Sequence, residues 1–262
     1  MKGKRKITAG IFAFCFAAPL LALVLQSFAA DWPFGELWPV SWTLDGWGVP
    51  FGDPLLAGAW RQTILIALCV AALNLVIGVP AAKALVVREF RGKELVDAML
   101  LIPVLLPITA LAVGLHIFAL QSGTANTWYG VAFFHLLPTL PYTIRIIRAG
   151  YERMGRSQYE QSRSLGGTAW SRFLLIELPQ MTASMRAAVF FAVVISVSQF
   201  ALTVIIGGGT VTTMAVLYYP YTDSAAPSAV SAFSLMTAAL PAAAALIADG
   251  ALRLSTKILK SW

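Results

Sequence analysis

Between Arg61 and Lys83 the chain reads Gln62-Thr-Ile-Leu-Ile-Ala-Leu-Cys-Val-Ala-Ala-Leu-Asn-Leu-Val-Ile-Gly-Val-Pro-Ala-Ala82. No residue of this stretch is charged. A helix needs about 20 apolar residues to cross the hydrocarbon layer of a bilayer, and the stretch supplies that length. Backbone amides find no water there, so the run must bond to itself as a helix or join a closed barrel. The every-second-residue alternation of barrel strands is missing, which leaves a membrane-spanning helix.

Working outward, this run lies within 60–87, and comparable runs occupy 7–29, 96–120, 127–148, 184–207 and 229–252. The expected fold is an all-α integral membrane protein with six transmembrane helices. Composition agrees: 58% of the residues are apolar and 12% charged, about half the charged share of a soluble domain. The first run follows Lys2, Lys4, Arg5 and Lys6, as the apolar core of a signal peptide would. It is longer than the roughly 7–15 residues of such a core, and Ser27-Phe28-Ala29 is a poor cleavage motif, so it reads as a retained span.

Charge sets the orientation, because short cytoplasmic loops collect Lys and Arg. With the N-terminus inside, the cytoplasmic segments hold 18 of the 19 basic residues and only Arg61 falls outside. Both termini are then cytoplasmic, in the inner (cell) membrane. The net charge of +7 therefore reflects topology. It is spread over separate loops, which argues against nucleic-acid binding. Cys15 and Cys69 both lie within spans, so no disulfide framework is expected. His116 and His135 lack further ligands at useful spacing, so neither points to a metal.

The segment 30–59 carries Trp32, Trp38, Trp42 and Trp47 among Pro33, Pro39, Pro50 and Pro54. It reads either as an interfacial aromatic belt over a Pro-rich turn or as a docking surface for an extracytoplasmic partner. A short basic turn, Arg88-Glu89-Phe90-Arg91-Gly92-Lys93, joins two antiparallel helices. Pro103 and Pro107 in the third run, and Pro138 and Pro141 in the fourth, are expected to bend their helices.

The cytoplasmic stretch 148–183 is amphipathic rather than apolar. Ser157-Gln158-Tyr159-Glu160 fits a capping box. A short helix to Leu165 can end at Gly166-Gly167 in the left-handed conformation. Thr168 can cap a second helix, 169–178, which Pro179 interrupts. Within this stretch Glu160-Gln-Ser-Arg-Ser-Leu-Gly166 is followed, after nine residues, by Ile176-Glu-Leu178-Pro179. This resembles the EAA loop of ABC importer permeases: Glu-Ala-Ala, three residues, Gly, nine residues, Ile-x-Leu-Pro. Glu160, Gly166, Ile176, Leu178 and Pro179 match at the family's spacing. Gln161 and Ser162 stand where the family has Ala-Ala, and both are compatible with a helix.

The resemblance implies a type I importer permease whose cytoplasmic coupling helix docks on an ABC ATPase subunit. Glu160 would cap the helix and contact the ATPase, and Gly166 would set the turn. It also implies a single permease domain over 1–262, with a core of about 60–250 and a coupling loop at 152–180. The implied partners are ATPase subunits, a second permease chain (identical or related), an extracytoplasmic substrate-binding protein and membrane lipid. Ser196-Val-Ser198-Gln199-Phe200, followed by Ile205-Ile-Gly207-Gly208-Gly209, is similar to the branch containing polyamine, ferric-ion and thiamine permeases. Polar groups in a span often face a pathway, which makes Ser196, Ser198, Gln199 and Thr203 candidate lining residues. Such side chains also pack helices and bond their own backbone.

No G-x-x-x-x-G-K-[ST] run occurs, so the chain is expected to bind no cofactor and to leave ATP to partner subunits. It shows no catalytic constellation. An ion-coupled carrier would place Asp or Glu near the centre of a span. Asp97 and Asp249 lie instead at cytoplasmic ends.

Overall fold

The computed structural model describes residues 2–155, 160–161, 164 and 168–260. The chain separates into two compact units, one of residues 1–57 and 216–239, the other of 58–215 and 240–262.

The first unit begins with α1 (Lys2–Ser27). The antiparallel pair β1 (Ala29–Asp31) and β2 (Ser41–Trp42) follows, with Ala29 opposite Trp42, then α2 (Asp45–Gly52). The tryptophans of 30–59 divide here. Trp38 and Trp42 are exposed. Trp47 lies against Phe28 and Phe51, with ring centroids 5.8 and 6.3 Å apart. Gly46 is required by a close approach, since a Cβ there would lie 2.7 Å from the Ser228 carbonyl carbon.

The second unit contains most of α3 (Leu56–Val87), then α4 (Lys93–Met99), α5 (Ile102–Leu105), α6 (Ile108–Gln121) and α7 (Trp128–Met154). Farther along the chain come α8 (Ala169–Arg172), a π-helical turn (Phe173–Glu177), α9 (Leu178–Val197), α10 (Phe200–Gly207) and α11 (Met214–Tyr218). Two further helices, α12 (Tyr221–Ser224) and α13 (Pro227–Lys260), complete the chain.

Four helical stretches among the described residues are long and apolar enough to span a membrane: Leu56–Val87, Trp128–Met154, Ala169–Val197 and Pro227–Ala244. A fifth span exists if Lys93–Leu105 and Ile108–Gln121 are taken together. The first expected run supplies a shorter apolar stretch, Phe14–Ser27.

Two expected spans are not the single helices that their hydropathy suggests. The run 96–120 turns through 103° at Leu106-Pro107. Leu106 is extended (φ −81°, ψ 142°), the conformation that a following proline's Cδ imposes on its neighbour. The run 184–207 is two helices, broken at Ser198-Gln199. Gln199 leaves the helical region (ψ 82°), and Gly208 ends α10 in the left-handed region (φ 52°). By contrast, α7 continues through Pro138 and Pro141.

α7 is the most enclosed of the candidate spans, and its main partner is α9. Two apolar cores lie along it. One joins Val79, Ala82 and Leu85 of α3 to Ile144, Ile147 and Tyr151 of α7 and to Leu178, Met181 and Met185 of α9. The other joins Ile66 and Val70 of α3 to Ala112 of α6, Val131 and Phe134 of α7, and Leu202 and Ile206 of α10. Small residues bring the backbones together, as membrane helices require when lipid is as apolar as the core. A Cβ on Gly150 would lie 2.6 Å from the Ser184 hydroxyl oxygen.

Candidate functional site

The motif residues begin on the surface and end in the core. Glu160 is exposed, and its carbonyl accepts from the Ser164 hydroxyl at 3.2 Å. Ser157, Gly166 and Gly167, expected to cap that first helix, lie outside the described residues. Thr168 caps the second helix as expected, its hydroxyl accepting from the Ser171 amide at 3.1 Å. Trp170 is exposed and stacks on Phe173 at 5.8 Å. Ile176 and Pro179 are half-buried, and Leu178 belongs to the first core.

Pro179 does not interrupt this helix, contrary to expectation. The backbone instead widens to a π turn just before it, where the Leu178 amide donates to the Phe173 carbonyl five residues earlier. Pro179 then falls in the first turn of α9. Proline has no amide to donate, and here it follows directly on the wider turn instead of lying in a regular α-helical interior. The result is one continuous helical run, Ala169–Val197.

The π turn also places Glu177, which occupies the variable position of the motif and was not singled out by sequence reasoning. Its side chain is fully buried. The Lys83 ammonium of α3 donates to one carboxylate oxygen at 2.6 Å, and the Tyr151 hydroxyl of α7 donates to the other at 2.8 Å. One available signal was the pairing of two isolated opposite charges, Lys83 closing one apolar run and Glu177 preceding another. A second ionic tie lies one turn away on α7. Arg148 holds both carboxylate oxygens of Asp97 at 2.8 and 2.9 Å and Glu152 at 2.8 Å, so α4 is fastened to α7.

The four candidate lining residues separate. Ser196 and Thr203 are buried and meet at the buried His135. The ring lies 3.0 Å from the Ser196 hydroxyl through Nδ1 and 3.1 Å from the Thr203 hydroxyl through Nε2. Thr203 gives its own proton to the Gln199 carbonyl. It must therefore accept from Nε2–H, and Ser196 must donate to Nδ1. The network continues as Thr139 donates to the His135 carbonyl at 2.8 Å and Asn74 to Thr139 at 2.8 Å. His135 thus bridges the break between α9 and α10. Ser198 is exposed, and its hydroxyl bonds the Ile195 carbonyl at 2.9 Å. Gln199 is half-buried at the break and borders a cavity of about 380 Å³ with Pro103, Leu106, Pro138, Tyr142 and Phe191.

The sequence profile described as "Binding-protein-dependent transport system inner membrane component" matches residues 74–257. The chain is 28% identical over 204 residues to the sulfate transport system permease protein CysT of Escherichia coli, covering 72% of this chain and 69% of that one. It is 25% identical over 170 residues to the molybdate/tungstate permease WtpB of Thermococcus kodakarensis, covering 65% and 64%. These relatives do not single out the polyamine, ferric-ion and thiamine branch. Among solved structures, the fold is similar to a bacterial ABC transporter involved in the import of the acidic polysaccharide alginate (TM-score 0.68, 16% identity, 89% of each chain). It is also similar to an alginate ABC transporter in complex with an alginate pentasaccharide-bound periplasmic protein (TM-score 0.59, 14% identity, 98% of this chain and 94% of that one). The chain belongs to the family of inner membrane components of binding-protein-dependent transport systems, as a permease subunit that is itself non-catalytic.

Proposed function

We propose that this chain, with a second permease chain identical or related to it, forms the substrate pathway of an ATP-driven importer and couples to separate ATPase subunits through residues 157–179. One observation carries the coupling role. The motif segment presents Glu160 and Trp170 at the surface and is rooted through Glu177 and Leu178 in the core. A partner that moves the exposed end therefore moves an element continuous with a membrane span. Closure of the ATPases on ATP would pull on this segment and swing the helices between inward- and outward-facing states. ATP is bound by the partners, and an extracytoplasmic binding protein delivers the substrate. Six spans result when α1 and the bent pair each count once. Both termini are then cytoplasmic, in keeping with the distribution of Lys and Arg, and 1–262 is read as one permease domain.

The names of the relatives support a small tetrahedral oxyanion, such as sulfate or molybdate, as the cargo. Ligand binding by the cognate binding protein tests this. A protein that binds a cation or an organic solute and ignores both anions would refute it. For the coupling role, Glu160→Lys and Gly166→Val should abolish uptake while leaving the protein in the membrane at normal abundance. Normal uptake in both variants would overturn it.

A further inference from the structure

We propose that Lys83, Glu177 and Tyr151 are positioning residues for transport: they carry displacement of the coupling segment into α3 and α7. The inference rests on the coupling reading of residues 157–179.

Three observations lead to it. Glu177 closes the π turn, so it lies where the surface segment becomes α9. Its two carboxylate oxygens are held by two different helices, the Lys83 ammonium of α3 on one and the Tyr151 hydroxyl of α7 on the other. Apolar packing between the segment and α3 is incomplete at this level. A groove of about 510 Å³ opens there, lined by Val79, Pro80, Lys83, Tyr151, Trp170 and Phe173. Apolar contacts across an open groove can slide past one another. Two short charge-assisted bonds at fixed angles cannot, because moving Glu177 either drags its partners or breaks the bonds. Stability alone does not call for an ion pair here, since well-packed apolar residues of similar volume generally serve as well or better. What the pair adds is direction: one carboxylate registers the segment against two helices at once.

The test uses the full transporter, with its cognate ATPase and binding protein, in proteoliposomes. Uptake, ATP hydrolysis and thermal stability are measured together. Lys83→Met/Glu177→Met removes both charges and keeps side-chain bulk. It should melt at or above the wild-type temperature, keep ATP hydrolysis, and lose uptake by about tenfold. Lys83→Arg preserves the charge and should stay within about twofold of wild type. Glu177→Gln keeps the shape and one acceptor but removes the charge facing Lys83, and should fall between them in uptake with a lowered melting temperature. Wild-type uptake in the double variant, or equal uptake in Lys83→Arg and Lys83→Met, would overturn the proposal. Glu160→Lys distinguishes the two levels. If it abolishes uptake while the double variant transports normally, only the positioning role fails. If it leaves uptake intact, the coupling reading fails, and the positioning role with it.

Discussion

α7 carries two buried polar clusters of opposite character. Near its C-terminal end, Tyr151 joins Lys83 and Glu177 in a charged cluster. Farther up, between the two apolar cores, His135 and Thr139 join Asn74, Ser196 and Thr203 in a cluster built from neutral hydrogen bonds. The difference follows from position. Lys83 lies near the end of α3 and keeps 23% of its side chain exposed, so the charged pair keeps an outlet to the surface through the lysine. At His135, which is 1% exposed, a charge would have no such outlet, and neutral groups tie α3, α7, α9 and α10 together instead. Charge is used where a helix meets the motif segment, and neutral polarity where helices meet one another.

The largest expected effect comes from breaking the charged cluster on one side only. Lys83→Ala leaves the fully buried Glu177 carboxylate without its ammonium partner, and should lower stability by about 3–5 kcal/mol. Unfolding of the purified protein in mixed micelles measures it. A loss below about 1 kcal/mol would mean that the pair behaves as an exposed one. In the neutral cluster, His135→Ala removes both hydroxyl contacts and leaves a cavity, for a loss of about 1–3 kcal/mol. Packing should matter to a similar degree at the nearby helix crossing. Gly150→Val forces the Ser184 side chain aside and should cost about 1–3 kcal/mol, measured by the same unfolding transition. Asn74→Ala should cost less, about 0.6 kcal/mol, the average for interhelical bonds in membranes. If Asn74→Ala costs as much as Lys83→Ala, the contrast between the clusters collapses.

The smallest effect lies outside the spans. Tyr221 donates to the Asp53 carboxylate at 2.6 Å. This hydrogen bond, then desolvation and the nearby negative charge, raise its pKa above the usual tyrosine value. The bond needs the protonated phenol. Its contribution is therefore fully present below the ordinary tyrosine range near pH 10 and is lost as pH rises through the higher folded-state value. Tyrosinate absorbance should show an alkaline-shifted component that disappears in Tyr221→Phe.

Much of this arrangement could be read from the sequence, and its limits have physical causes. The runs 60–87 and 127–148 correspond to α3 and α7 because burial in lipid and burial in protein ask for the same residues. Pro107 was expected to bend its helix, and the turn of 103° that results is far more than a kink. α7 remains one uninterrupted helix through Pro138 and Pro141, which are buried, whereas Leu105, Leu106 and Pro107 are exposed. Hydropathy sees no such difference. Glu177 escapes sequence reading because its partner lies 94 residues away in sequence. Ser196 and Thr203 were candidates for a pathway because a polar residue in a span declares its cost but not its direction. Only the position of His135 shows which way they turn. The π turn at Phe173–Glu177 leaves no trace in helix propensity.

That turn has a rotational consequence. Each α-helical residue advances the chain by about 100° around its axis. One extra residue in a single turn therefore rotates everything before it by about that angle relative to everything after. Trp170 and the exposed face of α8 are thus clocked against Leu178 and α9 by the width of a single turn at Phe173–Glu177. Tightening that turn to a regular α-helical one without deleting a residue would leave every span its composition, yet point the exposed face of α8 about a quarter-turn away from its present direction. The spacing of the motif, nine residues between Gly166 and Ile176, is on this view a setting of phase as much as of distance.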